Sequence, residues 1–480
     1  FDAYSEMEYR YYLQENTGHF INVINQQVNR FFRSFKKFAR FLTDLITTLS
    51  YFAFALAITW QFTLLAIGVG SVMLFLFKYL NSYVRSLSRK RSVEASTLNK
   101  FLVQALQSFK YIASTGQIDH IRDEVVSSVG RLTGYQFRQK VASALTKALK
   151  EPVSVLLITG IIGLQVVLFE ARVAPIFVAL LLFHRGMQSM MSVQSSWQGT
   201  MNDIGAVEMV VDDLEQARSN EEANGARTLG PLSDGIAFDS VHYAYNEEDG
   251  DVLRDVNIDV PVNQTVALVG ESGAGKSTLV DMMTLMLRPR AGEVRIDGVP
   301  HDEIDVTSWR QQIGYVSQET VVFDDTIANN ISLWRGDIEN GPALRERVID
   351  AAERAHADQF IRDLPEGYQT VVGDRGVRLS GGQRQRLFVA RELFKRPNLL
   401  LLDEATSDLD TASEQHIQDS VDALQGEVTV VIIAHRLSTV QSADRVYVLD
   451  EGRVVEEGTY HQLRMRDNGQ FREMVEMQSL

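Results

Sequence analysis

Three glycines and a lysine lie close together between a strand-like run and a helical run of the sequence. Residues 270–278 read Gly-Glu-Ser-Gly-Ala-Gly-Lys-Ser-Thr, after the apolar run 265–269 and before a helical pattern that starts at Leu279. In that setting backbone N–H groups converge on phosphate oxygens and the helix N-terminus adds a favourable dipole, whereas a chance glycine-rich turn needs neither element. Lys276 can then reach the β- and γ-phosphates, and the Ser277 hydroxyl can bind Mg²⁺. The predicted nucleotide contacts are Gly270, Ser272, Gly273, Gly275, Lys276, Ser277 and Thr278.

Two adjacent acids, Asp403 and Glu404, follow a run of leucines at residues 399–402. The leucines predict a buried parallel strand, and α/β sheets place ligands at the carboxyl ends of such strands. Asp403 suits Mg²⁺ held through water, and Glu404 suits a general base acting on the attacking water. Acids also follow strands as ordinary helix caps, so this pair gains its meaning from the phosphate loop upstream.

A second anion-seeking helix start is predicted at Ser380, Gly381, Gly382 and Gln383, which precede a helical run. A serine and two glycines at a helix N-terminus favour anion binding, although a serine-capped helix without a ligand has the same sequence. Two such helix ends, far apart in one chain, suggest that a nucleotide is held between two copies of the domain.

The elements that would position these residues belong to two unlike halves of a 480-residue chain. Before about residue 210 the sequence has long apolar runs with basic flanks, and after about residue 235 it has the pattern of an α/β domain rich in Asp and Glu. The net charge of −15 argues against a nucleic-acid partner. The absence of cysteine excludes disulfides and thiolate metal sites.

The first half predicts two membrane hairpins. Residues 41–60 and 61–77 are two apolar runs with almost no loop between them, and basic residues flank both outer ends. Residues 153–169 and the run from Val173 form the second pair, with a short turn at residues 170–172. The alternative is a pair of buried hairpins in a large soluble core, which the span lengths and the charge bias disfavour.

The second half resembles the nucleotide-binding domain of ABC transporters. Residues 270–278, 379–383 and 398–404 match the Walker A, signature and Walker B motifs in the order of that family. The resemblance implies further roles. Tyr245 would stack on adenine, Gln318 would contact Mg²⁺ and water, and His435 would contact the γ-phosphate. Residues 374–376 resemble the X-loop of exporters, and residues 407–410 resemble the D-loop, although Asp408 stands where the family more often has alanine.

The same resemblance implies ATP and Mg²⁺ as cofactors and a head-to-tail dimer, with each ATP between one copy's Walker A motif and the other copy's signature motif. The first half is similar to an exporter membrane domain. Residues 12–20 resemble the stretch after its first coupling helix, and residues 104–117 resemble its second coupling region. Such half-units have six spans, and four are found, so the first two are expected upstream of Phe1.

The sequence therefore predicts a helical transmembrane bundle at residues 1–211, a linker at 212–235 and an α/β P-loop ATPase domain at 236–480. The expected function is ATP-driven export or flipping across a membrane, expected to be a bacterial inner membrane, by a homodimer. Other readings are a multidrug or peptide exporter, an ATP-gated regulator of the same architecture, and a DNA-remodelling ATPase. The last kind carries long coiled coils between its Walker motifs and lacks membrane hairpins.

A histidine and an arginine, His184 and Arg185, interrupt the last apolar run. An arginine at membrane depth is costly and often faces a cavity or an opposite charge. Arg185 is therefore a candidate contact for an anionic, lipid-linked cargo, in keeping with a loose resemblance of residues 177–191 to flippases of lipid-linked oligosaccharides. The competing interpretation is an arginine that snorkels at the cytoplasmic interface.

Overall fold

The structure, a computed structural model, groups into two compact units. It describes residues 2–15, 17–58, 60, 63–64, 68, 83, 86–87, 90–91, 93–95, 97–99, 101–106, 108–169, 173–246, 250–373, 376–403, 411–434 and 440–478. One unit comprises Phe20–Asp213, and the other joins Phe1–His19 to Leu214–Leu480. The first residues of the predicted membrane domain thus group with the ATPase half.

The unit Phe20–Asp213 contains three long helices together with the short helix Phe109–Ser114 among its described residues. A π-helical turn, Val23–Gln27, separates α3 from α4. Among the described residues one helix, Gly18–Ile58, is long and apolar enough to cross a membrane, with a mean hydropathy of 1.7 over its apolar window. Among the described residues, the α-helices with defined bounds up to the linker are α1 Asp2–Ser5, α2 Tyr9–Gln14, α3 Thr17–Asn22, α4 Val28–Ile58, α5 Phe109–Ser114, α6 Ile118–Phe169 and α7 Val173–Ser219.

Helices α4 and α7 pack against each other in opposite directions. Near the start of α4, Lys37 Nζ lies 2.7 Å from Asp203 Oδ2, and further along, Asp44 Oδ2 accepts hydrogen bonds from Ser192 Oγ at 2.5 Å and Ser196 Oγ at 3.1 Å. The acid that the sequence places inside an apolar run is therefore bonded to hydroxyl groups of a neighbouring helix, as polar groups in such surroundings require.

The described helices agree in part with the predicted hairpins, and one of them extends into the predicted linker. Helices α6 and α7 flank residues 170–172, which lie outside the described residues together with most of 61–77. Helix α7 continues to Ser219, so the first eight residues of the predicted linker are helical. The physical reason is that residues 212–219 contain Asp, Glu, Gln, Leu, Ala and Arg but no Gly or Pro, and Gly225 is the first strong helix breaker.

Two sheets form the ATPase domain. A four-stranded sheet has the order β2-β1-β4-β5, and a six-stranded sheet has the order β10-β9-β3-β8-β7-β6. In the larger sheet β9, β3, β8, β7 and β6 run parallel, and β10 is antiparallel to β9. The strands are β1 Gly235–Tyr243, β2 Leu253–Pro261, β3 Thr265–Gly270, β4 Ala291–Ile296, β5 Val299–Pro300, β6 Ile313–Val316, β7 Leu399–Asp403, β8 Thr429–Ile433, β9 Arg445–Asp450 and β10 Arg453–Gly458.

The parallel sheet lies between two hydrophobic cores. Alternate residues of a strand face opposite sides, so Leu400 and Leu402 enter one core while Leu399 and Leu401 enter the other. Strand β7 is buried along its whole length, as predicted from the leucine run. In the part of this domain that the structure describes, the α-helices with defined bounds are α8 Lys276–Met283, α9 Val306–Arg310, α10 Ile327–Ser332, α11 Pro342–Arg354, α12 Asp358–Arg362, α13 Gly381–Phe394, α14 Thr411–Asp422, α15 Tyr460–Arg464 and α16 Gln470–Gln478.

Candidate functional site

The predicted phosphate loop joins the end of β3 to the start of α8. Its glycines are required by the backbone, because Gly273 and Gly275 have φ angles of 87° and 99°. A Cβ at Gly275 would also lie 2.6 Å from Leu253 Cδ2, so the loop is packed against β2. The strand, the loop and the helix thus form the predicted arrangement.

Lys276 folds back over this loop. Its side chain is 5% exposed, and Nζ donates hydrogen bonds to the carbonyl oxygens of Gly270 and Glu271, both at 2.8 Å. Ser272 and Ser277 are exposed at the same loop. The loop therefore exposes the hydroxyl groups of Ser272 and Ser277 to solvent, and the ammonium group of Lys276 is bonded to the backbone of the same loop.

Tyr245, the predicted adenine platform, lies beside the phosphate loop. Its hydroxyl shares a hydrogen bond of 3.1 Å with Thr278 Oγ1, and its carbonyl oxygen accepts one of 3.0 Å from Arg10 Nε. The structure thus places this aromatic residue beside the start of α8.

A phenol, that of Tyr315, and a second carboxylate, that of Asp281, lie near Asp403 at the end of β7. Tyr315 OH donates a hydrogen bond of 3.4 Å to Asp403 Oδ2. Burial, with a smaller contribution from the charge of Asp403, raises the pKa of Asp281 to about 6. Neither Tyr315 nor Asp281 was singled out in the sequence. The available signal for Asp281 was its spacing of four residues from Ser277, which places both on one face of α8.

The strand order explains why these groups share one edge of the sheet. Strands β3 and β7 lie on either side of β8 and run parallel to it. Their last residues, Gly270 and Asp403, therefore both lie at the carboxyl edge of the sheet. Gln318 follows β6, the next strand, and is exposed. Ligands of α/β domains bind at this edge.

The donor set at this edge fits a magnesium ion. Mg²⁺ prefers oxygen ligands, and the predicted ligands Ser277, Gln318 and Asp403 offer hydroxyl, amide and carboxylate oxygens. Asp403 is buried, and a divalent cation offsets the charge of a buried carboxylate.

Ser380 caps α13, the helix that begins within the signature motif. Ser380 Oγ accepts a hydrogen bond from Gln383 N at 3.2 Å, and Gln383 Oε1 accepts one from Ser380 N at 2.9 Å. The alternative interpretation of this motif, a serine-capped helix, is therefore present in the structure. Ser380 and Gly381 are also exposed, and a Cβ at Gly381 would meet nothing within 4 Å. The cap and an exposed anion-seeking end coexist.

Both residues predicted to act on water lie outside the described part of the chain. Glu404 follows Asp403, and His435 follows Ala434. The X-loop residues Asp374 and Arg375 and the D-loop residues 407–410 also lie outside it. Their roles stay predictions.

Comparison with known proteins identifies both halves. Residues 253–407 match the family model described as ABC transporter, and residues 1–191 match the model described as ABC transporter transmembrane region. A protein of Chromobacterium violaceum named ATP-dependent lipid A-core flippase is 32% identical over 476 residues, which is 98% of this chain and 80% of that protein. This chain belongs to the ABC transporter family.

Other ABC transporters support the same conclusion. The ATP-dependent lipid A-core flippase of Chromohalobacter salexigens is 35% identical over 418 residues, 85% of this chain and 70% of the relative. The solved structure of a bacterial Atm1-family ABC exporter with ATP bound aligns with a TM-score of 0.79 and 27% identity, covering 100% of this chain and 84% of the exporter.

These findings confirm the predicted fold class and activity. The chain is an ABC transporter with a helical transmembrane region followed by an ABC ATPase domain of exporter type. It binds ATP, and its ATPase domain couples ATP hydrolysis to transport across a membrane. As an exporter half-unit it acts as a dimer in the membrane.

Proposed function

We propose that this ABC transporter flips an anionic, lipid-linked substrate across a bacterial inner membrane as a homodimer, with its ATPase domains in the cytoplasm. Each ATP would lie between the phosphate loop of one copy and the signature helix of the other. The observation that carries the composite site is the exposed N-terminus of α13, where Ser380 and Gly381 leave an anion-seeking helix end open to a ligand.

The residues of one copy divide the work on ATP. Lys276 would exchange its bonds to Gly270 and Glu271 for phosphate oxygens, which keeps the buried ammonium fully bonded in both states. Tyr245 would break its bond to Thr278 and take the adenine ring on its face. Gly382 and Gln383 would complete the signature end that meets the partner's nucleotide.

Hydrolysis needs a base and a sensor for the terminal phosphate. Glu404 would accept a proton from the attacking water, and His435 would hydrogen-bond the γ-phosphate. Ser277, Gln318 and Asp403 would hold Mg²⁺, which supplies charge neutralisation at the phosphates when it is bound.

A lipid substrate is supported by the relatives and by one basic residue. Several relatives carry the name lipid A-core flippase. Arg185 is exposed on α7, and within the described residues no carboxylate lies within ion-pair distance of it. His184 Nε2 lies 2.9 Å from Gln188 Nε2, one turn further along the same helix. An unpaired guanidinium on a helix that is predicted to span the membrane suits an anionic headgroup.

The test is ATPase activity of the full chain in lipid nanodiscs with a panel of lipid-linked oligosaccharides, anionic phospholipids and amphipathic cations. Because Arg185 would touch the cargo and not the nucleotide, Arg185→Ala should abolish stimulation by anionic lipids and leave basal hydrolysis unchanged. Arg138→Ala, which removes another exposed arginine of the helical unit, is the matched control and should change neither value.

Three results would contradict the proposal at different points. Stimulation by cations alone would make the protein a multidrug exporter and assign Arg185 to the interface. Stimulation by anionic lipids that survives Arg185→Ala would leave the substrate class but remove the role of Arg185. Hydrolysis that persists in Glu404→Gln would remove the assigned base.

A further inference from the structure

The loop that carries Gln318 is bonded directly to the signature helix. This loop, residues 317–326, connects β6 to α10. Two residues after Gln318, Thr320 Oγ1 donates a hydrogen bond of 2.7 Å to Gln385 Oε1. Gln385 lies in the second turn of α13, five residues after Ser380, and is 4% exposed. The bond thus joins the loop that carries Gln318 to the helix that Ser380 caps. Both Gln318 and Ser380 are predicted nucleotide contacts.

A buried arginine makes a second connection between the same two segments. Arg391, on α13, is 3% exposed. Its Nη1 donates a hydrogen bond of 2.7 Å to the carbonyl oxygen of Val321, and its guanidinium carbon lies 5.0 Å from the ring centroid of Phe323. The guanidinium therefore contacts the loop immediately after Thr320.

Asn330 completes this connection from the next helix, α10. Its carbonyl oxygen and Oδ1 accept hydrogen bonds from Arg391 at 2.7 and 2.8 Å, and its Nδ2 donates one of 2.9 Å to the carbonyl oxygen of Phe323. Asn330 is 0% exposed. Arg391 and Asn330 are both buried and are joined by two hydrogen bonds. Breaking their contacts therefore leaves a buried guanidinium with fewer acceptors, which costs free energy.

These contacts connect two segments of one copy, the loop 317–326 and α13, that would bind different ATP molecules. In the proposed dimer, Gln318 contacts the Mg²⁺ and water of its own copy's ATP, whereas Ser380 of the same copy contacts the partner's ATP. We expect a shift of residues 317–326 to move α13 with it, because Thr320 and Val321 are both hydrogen-bonded to that helix. Coupling of this kind is reciprocal between the two sites.

We propose that Thr320 and Gln385 are positioning residues that couple the two ATP sites of the dimer, an inference that rests on the proposed composite site. The pair transmits the state of Gln318 to the N-terminus of α13, and the Arg391–Asn330 contacts hold the loop against the helix while it does so. Neither Thr320 nor Gln385 needs to touch the nucleotide.

The experiment compares Thr320→Val and Gln385→Met with their double variant in the full chain. Each removes the 2.7 Å bond with little change in volume. We expect kcat for ATP hydrolysis to fall roughly fivefold or more and the Hill coefficient to fall towards 1, with an unchanged Kd for the first ATP in equilibrium binding. The double variant should be no worse than either single one. Thr370→Val is the matched control, because the Thr370 hydroxyl is buried without a partner.

An unchanged kcat and Hill coefficient in Thr320→Val and Gln385→Met would overturn the inference. So would additive losses in the double variant, since independent effects do not come from one contact. A loss confined to the Kd for ATP would overturn it as well, by placing the pair in nucleotide binding. Lys276→Ala distinguishes failure of the proposed nucleotide site from failure of the proposed coupling. If Lys276→Ala leaves hydrolysis intact, the proposed nucleotide site is wrong. If it abolishes hydrolysis, the results for Thr320 and Gln385 bear on the coupling alone.

Discussion

At the scale of single residues, the least expected feature is an acid in the wall of the nucleotide site. Asp281 lies on α8, and burial next to Asp403 raises its pKa to about 6 from an ordinary value of 3.8. The folded protein thus holds a proton on Asp281 more tightly than the unfolded chain does. The stability linked to this proton is fully present below pH 3.8 and is lost as the pH rises through about 6.

Asp281→Asn should therefore stabilise the nucleotide-free protein at pH 8, where the buried carboxylate is ionised. The raised pKa corresponds to about 2 kcal/mol after an allowance for partial exposure. The gain should vanish at pH 4. Thermal unfolding of the full chain in a metal chelator at both pH values measures it, with Asp363→Asn, an exposed acid, as the control. Equal stabilisation at both pH values would show that ionisation is not the cause.

At the scale of elements, α13 is held from its side as well as from its N-terminus. Burial lowers the pKa of Arg391 to about 10, with Glu392 acting in the opposite direction, so its guanidinium is charged at neutral pH. The charge is satisfied by carbonyl and amide oxygens of residues 321 and 330 and by the rings of Phe323 and Phe388. The side of α13 and the residues before α10 are thus stabilised together.

Arg391→Leu should destabilise the ATPase domain by about 1–3 kcal/mol, because it removes the side-chain donor to the buried carbonyl oxygen of Asn330. Arg391→Lys should recover only part of this, since an ammonium cannot span the same acceptors. Urea unfolding of the full chain, followed by tryptophan fluorescence, measures both variants. Arg362→Leu removes an exposed arginine with two surface ion pairs and should cost less than about 1 kcal/mol. Equal losses at both positions would contradict the argument.

The sequence predicted elements whose signals are local and missed contacts that depend on the fold. The strand, glycine loop and helix of residues 265–283 follow from adjacent residues, and so does the buried strand β7. The burial of Arg391 was not predictable, because an arginine on a helix is ordinarily exposed and only the return of residues 321–330 covers it. Asp281 escaped notice for the same reason: its neighbour Asp403 is more than a hundred residues away in the chain.

At the scale of the whole molecule, the proposed composite sites make a sharp prediction for mixed dimers. Copies carrying Lys276→Ala and copies carrying Ser380→Arg should each be inactive alone. When they are co-assembled, one site of each mixed dimer combines the intact Lys276 of one copy with the intact Ser380 of the other. ATPase activity should therefore reappear on mixing, at up to about half of the activity per dimer if sites contribute independently.

The mixing experiment has a direct control. Two differently tagged copies that both carry Lys276→Ala should stay inactive after co-assembly, because no intact phosphate loop is present. If the first mixture is inactive although tandem purification recovers mixed dimers, and if dimers of one unchanged copy with one Lys276→Ala copy keep activity, then Lys276 and Ser380 of the same copy serve the same ATP. That result would replace the proposed head-to-tail arrangement.

The order of strands in the larger sheet also bears on how the chain is made. Strand β3, which leads into the phosphate loop, pairs with β8 and β9, whose residues lie between Thr429 and Asp450. At common synthesis speeds of about 5–20 residues per second, β3 waits on the order of ten to forty seconds for these partners. During that interval its apolar residues, all of them buried in the finished domain, are open to other chains. Depletion of holding chaperones should therefore harm the ATPase half of this transporter during translation, before any nucleotide can protect it.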